Sequence, residues 1–241
     1  MTPMADLHLN GHISKGFTHD LESLQSRLLA MGGLVENQVV HATQSLIEAN
    51  MDMANQVLHM EPEVDRRELV IDEECTTIIA RRQPAAIDLR LVLAVAKINI
   101  DLERIGDEAN RIAESARVLS IGDASSPHGL FEIRHIGNNA HQMLHNALEA
   151  FARLDVTLAY AVIHGDRTID RDYATAMREM MSYMMEDPRS ITRVIRIIWA
   201  LRSLERIGDH ARNIGEQVIY LVNGKDIRHL HSDEPEPVHR I

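Results

Sequence analysis

The stretch that decides the fold is LERIGD at residues 102–107, because the same six letters recur without change at residues 204–209. The match continues outward, with LERIGDEANRIAE in the first half of the chain and LERIGDHARNIGE in the second. Such a repeat predicts that the chain is an internal duplication of one structural unit. Each copy also holds a Glu and an Asp four residues apart, and a helix places such a pair on one face, one turn apart.

Apolar residues at helical spacing on both sides of the two copies predict six long helices. The apolar residues predicted for the core side of the first helix are Leu21, Leu24, Leu28, Met31, Val35, Val39, Ala42 and Leu46. The scarcity of aromatic residues, at 3%, also favours helix over sheet. We expect Thr18, Asp52 and Asp155 to cap helix starts, Asp187-Pro188 to open the last helix, and Asn223-Gly224 to end it. The predicted helices cover about 18–49, 52–82, 86–118, 128–153, 155–185 and 189–222.

This order predicts an all-α fold of two tandem, pseudo-symmetric three-helix bundles, since short turns make neighbouring helices antiparallel. The segment GDASSP at residues 122–127 is the clearest linker. We therefore predict a flexible N-terminus over 1–16, a first repeat over 17–121, a second repeat over 127–223 and a disordered tail over 224–241.

Charge and cysteine content limit the possible functions. The formal net charge of −11 argues against a nucleic-acid binder, which needs basic surface to displace counterions. The single cysteine excludes an intrachain disulfide and fits a reducing compartment. The N-terminus lacks an apolar signal segment, and the longest apolar run is too short to span a bilayer. These features predict a cytoplasmic protein that meets a membrane only through partner proteins.

Each half carries a second acidic pair on its middle helix. In an antiparallel hairpin, residues equally far from the turn face each other, and this rule places the middle-helix pair near the last-helix pair in both halves. The agreement is close in the second half and misses by a few residues in the first. The predicted clusters are Glu68, Asp72, Glu103 and Asp107 in the first half, and Asp166, Asp170, Glu205 and Asp209 in the second.

Four carboxylates brought together repel one another and must hold protons or neutralise their charge with a cation. Oxygen-rich clusters suit divalent or trivalent metal ions such as iron, Mn or Mg, and Zn where histidine joins. Asn110, His210 and Asn213 are possible additional ligands or supports. The alternative is that these pairs are ordinary surface acids, neutralised by neighbouring arginines such as Arg104 and Arg212.

Other candidate features are weaker. Gly106 and Gly208, both within helices, indicate close helix approach, because glycine costs roughly 1 kcal/mol there relative to alanine. Cys75 lies at an apolar-looking helical position, which predicts a core residue. Glu132 and His135 form a single Glu-x-x-His motif, whereas a di-iron oxidase of the ferritin type needs two.

The combination of ELVID at 68–72, QPAAIDLR at 83–90 and two copies of LERIGD closely resembles the PhoU family of bacterial phosphate-transport accessory and regulatory proteins. The resemblance covers about residues 15–223. It implies two three-helix bundles, a homodimer, and metal clusters on the acidic-x-x-x-Asp motifs. It also implies negative control of phosphate-starvation signalling and of phosphate uptake. Such proteins connect the ATPase subunit of the phosphate ABC transporter to a membrane sensor histidine kinase.

The sequence departs from the family pattern at two places. Arg111 stands where Asn is frequent, and we expect it to pair with Asp107 and weaken the first metal site. The Asp-Leu-Arg segment of the first half is replaced in the second half by Thr192-Arg193-Val194. The resulting interpretation is a non-enzymatic adaptor. The alternatives are a metal-dependent enzyme with a carboxylate-bridged multinuclear centre, and a phosphate-binding sensor.

Overall fold

A computed structural model describes residues 15–120 and 129–227, and within those ranges every regular element is a helix. A short 3-10 helix, Pro188–Ser190, precedes the last long helix. The predictions for 1–14, for the linker within 121–128 and for the tail beyond 227 lie outside the described residues. The six helices are α1 Lys15–Ile47, α2 Met51–Arg82, α3 Ala86–Ser120, α4 Leu130–Arg153, α5 Val156–Glu186 and α6 Ile191–Asn223.

The helix starts show which polar residues act as caps. Asp155 caps α5 as predicted, because its carboxylate accepts a hydrogen bond from the backbone N–H of Leu158 at 2.9 Å. The prediction for α2 was wrong by two residues: Asn50 is the cap and accepts from the N–H groups of Asp52 and Met53. The prediction for Thr18 was also wrong, since α1 is already helical from Lys15.

The hairpin turns follow from residues that cannot continue a helix. Gln83 ends α2 in the left-handed conformation with φ 48°, and Pro84 follows it. Asp187 accepts a hydrogen bond from the backbone N–H of Arg189 and opens the 3-10 turn, with Pro188 in its first position. Gly224 closes α6 with φ 69°, as its sequence predicts.

The two halves form one continuous helical assembly. Within the first half α1, α2 and α3 pack against one another, and within the second α4, α5 and α6 do the same. The halves meet through α3 against α6 and α1 against α4, so α2 and α5 lie on the outside. The predicted apolar stripe of α1 is buried along its whole length, at Leu21, Leu24, Leu28, Met31, Val35, Val39, Ala42 and Leu46.

The α1–α4 contact reveals the pseudo-two-fold relation between the halves. A Cβ on Gly32 would lie 2.7 Å from Leu148 Cδ2, and a Cβ on Gly137 would lie 2.6 Å from Thr43 Cγ2. The two contacts are related by the pseudo-two-fold axis, because Gly137 follows Gly32 by 105 residues and Leu148 follows Thr43 by the same number. Each glycine therefore admits a side chain of the other half, and α1 corresponds to α4 with an offset of 105.

No helix in the described ranges is both long enough and apolar enough to span a membrane.

Candidate functional site

The helix pairing within each half places the acidic motifs. A Cβ on Gly106 of α3 would lie 3.5 Å from Val64 Cγ1 of α2, and a Cβ on Gly208 of α6 would lie 3.0 Å from Ile169 Cδ1 of α5. Gly208 therefore permits the close approach predicted from sequence, whereas at Gly106 the tight neighbour of an added Cβ is Gln38 Oε1 of α1, at 3.2 Å. The two contacts identify equivalent residues in the two halves. A residue of α6 follows its equivalent in α3 by 102 positions, as Gly208 follows Gly106, and a residue of α5 follows its equivalent in α2 by 105, as Ile169 follows Val64.

These offsets correct the assignment of the first acidic cluster. The counterparts of Asp166 and Asp170 are Glu61 and Asp65, not Glu68 and Asp72 as expected. A narrow recess between α1, α2 and α3 confirms this placement and includes neither Glu68 nor Asp72. Its lining residues are Gln38, Glu61, Val64, Asp65, Glu103, Gly106, Asp107 and Asn110.

The error in the first half came from the position of the turn. The turn is centred near Pro84, and the residue opposite 105 is then 63, midway between Glu61 and Asp65. Pairing with Glu68 and Asp72 had required a centre several residues later. The Glu61-x-x-x-Asp65 motif is visible in the sequence and was missed. Glu68 lies nearer the turn, where its backbone carbonyl accepts a hydrogen bond from Asn99 Nδ2 at 2.9 Å.

Burial and mutual repulsion govern the protonation of this first cluster. The pKa of Glu103 is raised, first by burial and then by the charge of Asp107. The pKa of Glu61 is raised by burial and by Asp65 and Asp107, while the neighbouring amide of Asn110 opposes the rise. Glu68 is affected by the same negative charges, since burial and the charges of Asp72 and Asp65 raise its pKa. A cation placed here would relieve this repulsion.

Gln38 of α1 adds a neutral oxygen to the recess. Its side chain is fully buried, and neither its amide oxygen nor its amide nitrogen has a hydrogen-bond partner. An unpaired buried amide costs about 1–3 kcal/mol, so such groups normally have partners. Sequence reasoning missed Gln38, because an apolar stripe of α1 on either side of it gave no sign that it faces α3.

In the second half the four predicted carboxylates lie close enough for their charges to affect one another. Burial raises the pKa of Glu205 first, Arg202 opposes the rise, and Asp209, Asp170 and Asp166 reinforce it. Burial likewise raises the pKa of Asp166, against the effect of Arg212, with Asp209 and Asp170 adding to the rise.

Arginine neutralises part of this second cluster. Arg212 donates from Nη1 to Asp166 Oδ2, and the same nitrogen lies 3.4 Å from Asp209 Oδ1. Arg202 Nη1 donates to Glu205 Oε1 at 2.7 Å. The alternative interpretation, acids paired with neighbouring arginines, therefore describes part of the second half. It also describes the exposed edge of the first cluster, where Arg104 lies 3.3 Å from Glu103 Oε2 and 3.7 Å from Asp107 Oδ2.

Three further residues occupy different places from those expected. His210 Nδ1 lies 2.8 Å from Asp101 Oδ1, and Asn213 Nδ2 donates to the same oxygen at 3.1 Å. Both residues therefore link α6 to α3. Arg111 pairs with Glu108 at 2.7 Å and not with Asp107, so it does not enter the first cluster. Of the three possible additional ligands, Asn110 lines the first recess.

The donor sets differ in how well they fit a metal ion. The first recess offers four carboxylates and two amide side chains, which are the oxygen ligands that hard cations prefer. In the described ranges, no three His, Cys, Asp or Glu side chains are already gathered in metal-binding geometry. A metal would therefore have to draw the carboxylates of the first recess together. In the second cluster a guanidinium stands among the carboxylates.

Fold and clusters together define a class: an all-helical protein made of two tandem three-helix repeats, each with an acidic cluster between its outer and last helices. The PhoU domain matches twice, at residues 28–116 and 133–218, and the chain belongs to the PhoU family.

Relatives of known name agree along nearly the whole chain. The Phosphate-specific transport system accessory protein PhoU homolog of Pseudomonas putida is 57% identical, covering 92% of this chain and 86% of its own length. The protein named PhoU in Escherichia coli is 41% identical over 96% of this chain and 95% of its own. The crystal structure of PhoU from Pseudomonas aeruginosa, 56% identical, superposes with a TM-score of 0.85 over 87% of this chain and all of that one.

Proposed function

We propose that this protein is a negative regulator of phosphate-starvation signalling and phosphate uptake. It acts as a cytoplasmic, non-enzymatic adaptor between the ATPase subunit of a phosphate ABC transporter and a phosphate-sensing histidine kinase. The observation that carries the proposal is the close relation, over nearly the full length, to proteins named as accessory to phosphate-specific transport. We further propose that it works as a homodimer, binds no nucleic acid and reaches the membrane only through these partners.

Metal binding is part of this proposal. The buried carboxylates of the first recess, together with Gln38 and Asn110, form a donor set for iron, Mn, Mg or Zn. A bound cation there ties α1, α2 and α3 together, because its ligands come from all three helices. Its role is therefore structural, and it sets the shape of the outer surface of the first half.

A metal-dependent enzyme is the second candidate. The observation that favours it is the raised pKa of Glu103 and Glu61 beside a recess, since such perturbed acids are common at catalytic sites. Turnover of a phosphoester by the metal-loaded protein, lost in Glu103→Gln, would support this candidate over the adaptor.

The surface we propose for a protein partner lies on the α5–α6 hairpin. Residues 188–204 contain four arginines and no acidic residue, in a chain of net charge −11. Arg196 lies over the ring of Trp199 at 4.7 Å. Arginine, tryptophan and methionine are the residue types enriched in protein interfaces. The exposed apolar side chains of this hairpin surface are Met181, Met185, Ile191, Ile195 and Trp199.

Charge decides what partner fits this hairpin surface. A second copy docked by two-fold symmetry would place its arginines opposite these arginines, which is unfavourable. An acidic protein surface with an apolar centre is complementary. We therefore expect Trp199→Ala and Arg196→Glu to weaken binding to the purified ATPase subunit or to the cytoplasmic part of the kinase at least tenfold.

Leu69→Ala is the matched control for that binding test, because Leu69 is also exposed but lies on α2 of the other half. Unchanged affinity in both hairpin variants would exclude this surface while leaving the regulatory role intact. A change of oligomeric state in Trp199→Ala, seen by sedimentation, would assign the surface to a second copy instead.

The regulatory role itself is tested genetically. Deleting the gene in its host and growing the cells with excess phosphate should leave an alkaline phosphatase reporter switched on. Restoring the gene should silence the reporter. A reporter that stays off after deletion would reject the proposed function and bring the enzymatic candidate forward.

A further inference from the structure

We infer that the two acidic clusters are not equivalent: the first half holds the metal site of this chain, and in the second half Arg212 takes the place of the metal. This inference rests on the metal binding proposed above. It goes beyond it, because the sequence had suggested a metal cluster in each half, with the first one weakened.

The comparison of matched positions carries the inference. The offset of 102 between α3 and α6 places Arg212 at the position of Asn110, and it superposes the two LERIGD copies. Four carboxylates therefore stand at matched positions in both halves, whereas the residue one turn after the last aspartate differs. In the first half that residue is a neutral amide with an oxygen to offer. In the second it is a cation.

The contacts of Arg212 explain why the second cluster binds a metal ion less well than the first. Its guanidinium is charged at every physiological pH and has only donors. It donates to Asp166, whose side chain is 5% exposed, and lies 3.4 Å from Asp209. A metal ion approaching these two carboxylates meets a like charge already in place. It must displace that charge or bind beside it. The arginine of the first cluster, Arg104, is 54% exposed, whereas Arg212 is 35% exposed and holds a buried carboxylate.

A second substitution points the same way. The offset of 105 between α1 and α4 places Met143 at the position of Gln38. In the first half the fully buried Gln38 turns an unpartnered amide toward the carboxylates. The thioether of Met143, which lies against Gly165, is a poor ligand for hard cations. The second half has thus lost a neutral oxygen donor as well as gained a positive charge.

The free oxygens of the second cluster show what removing the arginine should do. Asp166 Oδ1 and Glu205 Oε2 are buried and make no hydrogen bond. In the wild-type protein the guanidinium of Arg212 pairs with the other oxygen of Asp166, Oδ2. Without it, the same carboxylates would resemble those of the first recess. Arg212→Asn should therefore create a metal site, and Asn110→Arg should destroy one.

The experiment compares metal content in a matched set of full-length variants. Metal-free protein is loaded with excess Mn²⁺, or anaerobically with Fe²⁺, desalted, and measured by mass spectrometry of the metal. Circular dichroism checks that each variant keeps its helices. We expect Asp107→Asn and Asn110→Arg to lose the metal, Asp209→Asn to retain the wild-type amount, and Arg212→Asn to bind about twice that amount.

Equal losses in Asp107→Asn and Asp209→Asn, or no gain in Arg212→Asn, would overturn the inference. If no protein in the set retains metal, the metal-binding proposal fails and this inference with it. The phosphatase reporter tests the regulatory role separately, so that failure is distinguishable from a failure of the proposed function.

Discussion

Removing the positive charge of Arg212 is the most direct test of the electrostatics of the second half. In Arg212→Met the carboxylate of Asp166 keeps its buried position but loses the hydrogen bond to Oδ2. Its other oxygen, Oδ1, has no partner to compensate. Asp209 and Asp170 remain nearby and repel the unpaired charge. The metal-free variant should therefore be less stable than the wild type.

The size of the effect follows from the exposure of the two side chains. Breaking a fully buried ion pair costs about 3–5 kcal/mol, because one charge is left without compensation. Asp166 is 5% exposed but Arg212 is 35% exposed, so solvent screening reduces that figure. We expect a loss of about 2 kcal/mol. For a chain of this length such a loss lowers Tm by roughly 4–8 °C.

A double-mutant cycle separates the pair from other effects of the substitution. Asp166→Asn removes the buried charge, and in that background Arg212→Met should cost less than about 1 kcal/mol. Thermal and urea unfolding of the four proteins, with chelator present, measure the coupling. Equal costs of Arg212→Met in both backgrounds would refute the argument, because the arginine would then stabilise the fold without acting through Asp166.

Two further predictions concern pH and helix packing. Because Glu103 and Glu205 have higher pKa values in the folded protein than in the unfolded chain, the folded state binds more protons. The metal-free protein should thus gain stability as the pH falls from neutral toward the unfolded value of 4.5, and Glu103→Gln should flatten this rise in Tm. Gly137→Ala should destabilise the protein by about 1–3 kcal/mol by pressing on Thr43, whereas Gly33→Ala, with no atom within 4 Å of the new Cβ, should stabilise it by roughly 0.5–1 kcal/mol. Urea unfolding compares these two variants, and equal effects would contradict the packing argument.

The helices were predictable because their apolar residues recur along one face for 24 to 35 residues. The eight apolar residues predicted for the core side of α1 are all buried. The cap of α2 was less predictable, because Asn50 and Asp52 both have the right chemistry. Only the extended backbone at Asn50 decides between them. Lys15 and Gly16 were expected to be flexible, because nothing in their sequence marks a helix start. In the structure they form the beginning of α1.

The acidic clusters were predictable where the turn was well marked. Asp187-Pro188 locates the α5–α6 turn closely, and the charges of Asp166, Asp170 and Asp209 all act on Glu205 across that hairpin. In the first half an error of a few residues at the Gln83-Pro84 turn doubled across the hairpin and selected the wrong pair on α2. The sequence of α2 could not reveal that error, because Glu61 with Asp65 and Glu68 with Asp72 are both acidic pairs at the same spacing.

The duplication explains why the two halves share a fold but need not share chemistry. Packing depends on residues that recur in both copies, such as Gly106 with Gly208 and Gly32 with Gly137, and each pair makes equivalent contacts. An acidic cluster depends on all the charges around it. One change from a neutral amide to arginine alters its balance without disturbing a helix. Arg212 is partly exposed on α6 and pairs there with the buried carboxylate of Asp166. The second half can therefore keep the cluster's geometry while supplying the counter-charge itself, which leaves its stability independent of metal supply.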